Sequence, residues 1–74
     1  MKFQIMHESN GRIRVRFIQK RMTLEQADLL EAYLQTLKGV SQAAVHERTC
    51  CAVIRYQSPR AELLERLSRF SYQG

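Results

Sequence analysis

Residues 10–17 read NGRIRVRF, and the reading of this run decides the fold. Arg12, Arg14 and Arg16 alternate with Ile13, Val15 and Phe17. An extended strand turns successive side chains to opposite faces, so the run offers one apolar face and one wholly cationic face. It is a half-buried strand, with its apolar side on a core and its arginines on the open side of a sheet. Asn10-Gly11 just before it is a hairpin signal, because both residue types tolerate positive φ. The returning partner is residues 2–6, where Phe3 and Ile5 alternate with Lys2, Gln4 and Met6.

Downstream, Gln19-Lys20-Arg21 is a polar break and Thr23 opens a helix. The Thr23 hydroxyl can cap the first turn, and Gln26 completes a capping box. Leu24, Ala27, Leu30, Leu34 and Leu37 recur at helical spacing and form its buried stripe, with Leu29 and Tyr33 on the flank. Gly39 ends the helix as its C′ residue. Residues 40–47 and 51–56 read as strands around a turn near Arg48-Thr49, with Val45, Val53, Ile54 and Tyr56 as good strand formers. Ser58 as N-cap and Pro59 at the first helical position open a second helix, whose stripe is Ala61, Leu64, Leu67 and Phe70. The tail from Ser71 to Gly74 carries no decided structure.

The order is therefore ββαββα. Without its first strand it is most of a ferredoxin-like α+β sandwich, an antiparallel four-stranded sheet with two helices on one face. The usual last strand is missing, and the N-terminal strand takes the vacant edge beside residues 12–18. The 74 residues form a single domain, 1–74, near the lower size at which one core supports folding. No apolar run is long enough to span a bilayer and no signal-peptide pattern opens the chain, so the domain is expected in the cytoplasm.

Cys50 and Cys51 are adjacent, which rarely suits disulfide geometry, so both are expected as reduced thiols. No phosphate loop, activated serine or carboxylate pair at catalytic spacing is present, and the domain is not expected to be an enzyme. The chemistry that remains is of two kinds. Cys50, Cys51 and His46 are candidate ligands for zinc, copper or iron, with Met6 and His7 as further donors. The competing structural role puts one cysteine in the core and the other at a hairpin tip, because neighbours on a strand point apart.

The second kind of chemistry is cationic. With a net charge of +5, an acidic partner is admitted: an acidic protein surface, anionic lipid or nucleic acid. Arg12, Arg14 and Arg16, joined by Arg55 from a neighbouring strand, form the candidate docking surface. Solvation alone is the competing explanation, since charge on an open sheet also deters aggregation. Nucleic acid is disfavoured, because base stacking needs rings on the basic face and only Tyr56 or Tyr72 is free to supply one.

Gly11-Arg12-Ile13-Arg14, Leu37-Lys38-Gly39-Val40 and Thr49 ahead of Ile54-Arg55-Tyr56 together resemble the heavy-metal-associated domains of bacterial P-type metal-transporting ATPases. More narrowly, residues 3–70 resemble a divergent branch without the Cys-x-x-Cys loop. In the typical domain that loop follows the first core strand and holds the ion. Here it is residues 18–22, where Met22 is the one sulfur, so no ligand position carries over. The resemblance implies a regulatory or docking domain, either N-terminal in a metal-transporting pump or accessory to one. Such a pump would continue past residue 74 into the cell membrane. The implied partners are its catalytic and membrane-embedded parts and the anionic inner leaflet.

Overall fold

Ile13, Val15 and Phe17 are sealed from solvent, while Arg12, Arg14 and Arg16 are exposed, so the alternation seats one strand face on the core. The computed structural model describes residues 1–72; of the undecided tail expected from Ser71 to Gly74, the last two residues lie outside the described residues. Its elements are β1 (Phe3–Ser9), β2 (Arg12–Phe17), α1 (Leu24–Thr36), β3 (Val40–His46), β4 (Cys51–Tyr56) and α2 (Arg60–Arg69). The sheet order is β1-β2-β4-β3 and every neighbouring pair is antiparallel. β2-α1-β3 is a split βαβ unit with β4 inserted between its strands, and β1 fills the edge beside β2. This is the ferredoxin-like α+β arrangement, with the N-terminal strand in the vacant place.

The core joins sheet residues Ile13, Val15, Phe17, Ala52 and Ile54 to Leu30 and Leu34 of α1 and Leu63 and Leu67 of α2. Both helices therefore cover the same face. Each fully buried Leu or Ile contributes about 1.5–3 kcal/mol, so a core of this size suffices for a small domain.

The start of α1 forms as its sequence dictates. Gln26 N–H donates to Thr23 Oγ1 at 3.1 Å, and Thr23 N–H donates to Gln26 Oε1 at 3.2 Å, closing the capping box. Leu24 departs from the expected stripe and is 65% exposed. At 3.6 residues per turn it lies about 120° round the helix from Leu30. The other end also differs. Leu37 already leaves the helix in extended conformation, and Val40 N–H closes a turn on the Leu37 carbonyl at 3.2 Å. Gly39, with φ 92°, serves that turn rather than the helix C′ position.

α2 begins one residue later than its sequence suggests. Pro59 is the N-cap, without a side-chain cap. Ser58 lies against Gly39, where an added Cβ would come within 2.5 Å of the Ser58 Cβ. The buried stripe is Leu63 and Leu67, with Leu64 and Phe70 half-buried and Ala61 exposed. Ala61 sits about 120° round from Leu67, so it cannot share that face.

β1 runs to Ser9, further than expected, because a bulge between Ile5 and His7 absorbs Met6. Asn10-Gly11 makes the turn to β2, but only Gly11 takes a positive φ, at 78°, so the turn uses one left-handed residue instead of two. β3 is the other edge strand. Its Val45 N–H donates to Glu31 Oε1 of α1 at 2.9 Å, which occupies an edge donor that would otherwise invite another strand.

Candidate docking surface

Residues directly opposite each other in an antiparallel ladder share a face, so the pairing register draws the open side of the sheet as rows across the strands. One row is Ser9, Arg12, Arg55 and Gln42. The next is His7, Arg14, Val53 and Ala44. The third is Gln4, Arg16, Cys51 and His46. The arginines of β2 thus form a column, and Arg55 stands directly opposite Arg12. None of these positions carries a carboxylate.

That absence has a structural cause. Counting in twos from Gln4 would place Glu8 on the open face among the arginines. The Met6 bulge shifts the register, so Glu8 pairs with Ile13 and turns to the helical side. There it meets the Arg60 guanidinium at the start of α2. That contact raises the Arg60 pKa, the hydrogen bond to Glu8 being the larger cause and its charge the next. The second ion pair among the described residues, Arg69–Glu65 at 2.9 Å, also lies along α2. Arg12, Arg14, Arg16 and Arg55 have no such partner. Like charges directly opposite in a sheet are destabilising, so Arg12 facing Arg55 is a local cost that the fold carries.

The structure separates the cysteines. Cys50 closes the turn between β3 and β4 at φ 55°, the one non-glycine residue with positive φ among those described, and its side chain joins the core. Cys51 lies on the arginine side of the sheet, yet it is only 5% exposed, with Sγ 3.3 Å from the Thr49 carbonyl oxygen. Its ladder neighbours are Arg16 and His46. Of the three candidate metal ligands, Cys51 and His46 are brought side by side and Cys50 is turned away from them. His7 stands opposite Arg14, Met6 is exposed at the bulge and Met22 is buried in the core. Among the described residues no group of three or more His, Cys, Asp or Glu side chains is placed to hold a metal ion.

The rings lie elsewhere too. Tyr56, expected to be available for stacking, is buried in the core cluster with Phe17, and Phe3 packs against it. Tyr72, the other expected ring, packs edge-on to Phe70 at 5.2 Å, and Phe70 in turn packs on Tyr33 of α1 at 4.8 Å. The open face therefore offers guanidinium groups, two imidazoles, amides and a low strip of Val53, Ala44 and Cys51. Among the described residues, no Phe or Tyr ring lies on it.

Sequence reasoning reaches the β2 column and Arg55. It does not reach His7, Gln42 or the position of Cys51 on this face, because these follow from the register of β1 and β3. The alternation Cys51-Val53-Arg55 was the available signal for Cys51. Comparison of the chain with protein-family models, with curated proteins and with solved structures finds no match. Among the described residues, no helix is long and apolar enough to cross a membrane.

Proposed function

We propose that this chain is a non-catalytic docking domain whose open sheet face binds an acidic surface. In this reading it is a cytoplasmic regulatory part of a heavy-metal-transporting P-type ATPase, N-terminal in the pump or accessory to it. One observation carries the docking: among the described residues, Arg12, Arg14, Arg16 and Arg55 share a face with no carboxylate and no ion-pair partner. The motif resemblance of residues 11–14 and 37–40 supports the pump context.

Magnitudes set the mode of use. An exposed ion pair contributes at most about 1 kcal/mol, so engaging Arg12, Arg14, Arg16 and Arg55 together gives at most about 4 kcal/mol, an affinity no tighter than about millimolar. Attachment to the same protein, or residence on the same membrane, supplies millimolar effective concentration and makes such a contact sufficient. Weak, tethered docking is reversible, which suits regulation. Direct metal binding draws support only from the Cys51–His46 adjacency, and Cys50 would have to leave the core to join it.

The test is a titration of the chain with polyglutamate at about 0.02 M and about 0.3 M salt, a range over which screening shortens several-fold. Binding at low salt that fades at high salt is expected. No binding at low salt, or binding indifferent to salt, overturns the reading.

A further inference from the structure

We infer that the occupant of this face is a segment of extended acidic polypeptide with a carboxylate at every second residue, lying along β2. The inference rests on the docking reading and names its partner. It starts from spacing. Arg12, Arg14 and Arg16 are alternate residues of a regular strand, so they repeat every about 6.8 Å. Alternate side chains of an extended ligand repeat by the same distance, so carboxylates on one of its faces stay in step with the whole column. A helical ligand presents its acids one turn apart, about 5.4 Å, and is about 3 Å out of step by the third arginine.

The kind of cation points the same way. Every basic side chain paired in the rows, histidines aside, is arginine, whose planar fork matches a carboxylate with two parallel hydrogen bonds. Beside the column, β4 sets the short Cys51 and Val53 in line with Arg55, and β3 sets Ala44 between Gln42 and His46. Val53 and Ala44 are half-buried and Cys51 is buried, so these short side chains leave a shallow floor beside the column, bounded by Arg55 at one end and by Gln42 and His46 on β3.

The other polyanions fit less well. Single-stranded nucleic acid has a similar phosphate spacing, but among the described residues no Phe or Tyr ring lies on this face to receive a base, and its imidazoles, His7 and His46, stand on separate edge strands. A bilayer surface is better held when apolar groups insert beside the charges. The large exposed apolar side chains Ile18, Leu24 and Leu29 lie outside these rows, and Met6 sits at the edge bulge.

The experiment compares two peptides of identical composition, one alternating glutamate with serine and one with its glutamates in a single block. Binding to the chain is measured by calorimetry at low salt. The alternating peptide is expected to bind about tenfold more tightly, a difference of about 1.4 kcal/mol. Arg14→Gln should erase that advantage, and Lys38→Gln, in the turn after α1, should keep it. Equal affinity for both peptides overturns the extended register while leaving docking on acidic surfaces intact. Binding to phosphatidylglycerol vesicles or an oligouridine in preference to both peptides overturns the choice of partner. No binding to any of these anions removes the docking reading as well.

Discussion

Reversing Arg12, Arg14, Arg16 and Arg55 to glutamate is expected to lower affinity for an acidic partner about 100-fold, enough to take a millimolar contact out of the measurable range, while the domain stays folded. All of them are exposed, and none has an ion-pair partner among the described residues. Each lost pair is worth at most about 1 kcal/mol, and each new carboxylate adds repulsion of the same order, so a change of about 3 kcal/mol survives screening by salt. Folding should be nearly untouched, because the core lies on the other face of the sheet and Glu opposite Glu repels about as Arg opposite Arg does. Binding isotherms and thermal melts of the two proteins check both halves. Unchanged affinity in a folded variant would mean that the arginines only keep the face in solution.

The second large effect falls on stability. Gly39→Ala is expected to cost about 3 kcal/mol, read as a fall in the urea midpoint. Part of the cost is conformational: φ is 92°, where an L side chain adds about 1–2 kcal/mol. The rest is crowding. The new methyl would stand 2.5 Å from Ser58 Cβ and 3.0 Å from Ser58 N, and overpacking of this kind costs about 1–3 kcal/mol. Backbone must move, since trimming Ser58 leaves its amide nitrogen in place. A domain of this size has about 4–11 kcal/mol in total, so the variant would be marginal. Adding Ser58→Gly should return only part of the loss. A cost below about 1 kcal/mol would mean that the turn before β3 and the start of α2 are not packed as described.

These two expectations differ in how far the sequence foretold them. The half-buried strand is visible in Arg12-Ile13-Arg14-Val15-Arg16-Phe17, because period-two patterning is a local property, and Thr23 with Gln26 announces a helix start for the same reason. The missing last strand and its replacement by an N-terminal strand, read as residues 2–6, also follow from the order of elements. Bulges do not. Met6 and Ser41 are inserted at register shifts that no local preference marks, and the first of them decides which face Glu8 occupies. Ser58 is a good N-cap by type, but the contact with Gly39 is long-range and Pro59 takes the cap position. For the same reason the Arg12–Arg55 pair, the central feature of the surface, is implied by the composition of two strands and fixed only by their register.

Two of the motifs on which the resemblance to heavy-metal-associated domains rests have roles in the fold itself. Gly11 supplies the positive φ of the first hairpin, with its backbone close under the Tyr56 carbonyl, and Leu37-Lys38-Gly39-Val40 is the turn that Gly39 makes possible. Both are requirements of the fold. The loop of residues 18–22, where such domains hold their ion, contributes Met22 to the core instead. Among the described residues, the arginine face without a carboxylate is the strongest chemical feature.

The measurement that tests this most directly is an amide-resolved nuclear magnetic resonance titration of isotope-labelled protein with polyglutamate at low salt. Saturable shifts should centre on residues 12–16 of β2 and on Val53 and Arg55 of β4, spread to Gln42 and His46, and vanish when salt is added. Shifts centred instead on the helical side, around Leu24 and Leu29, or no shifts at all, would contradict the claim that the open face is where this domain docks.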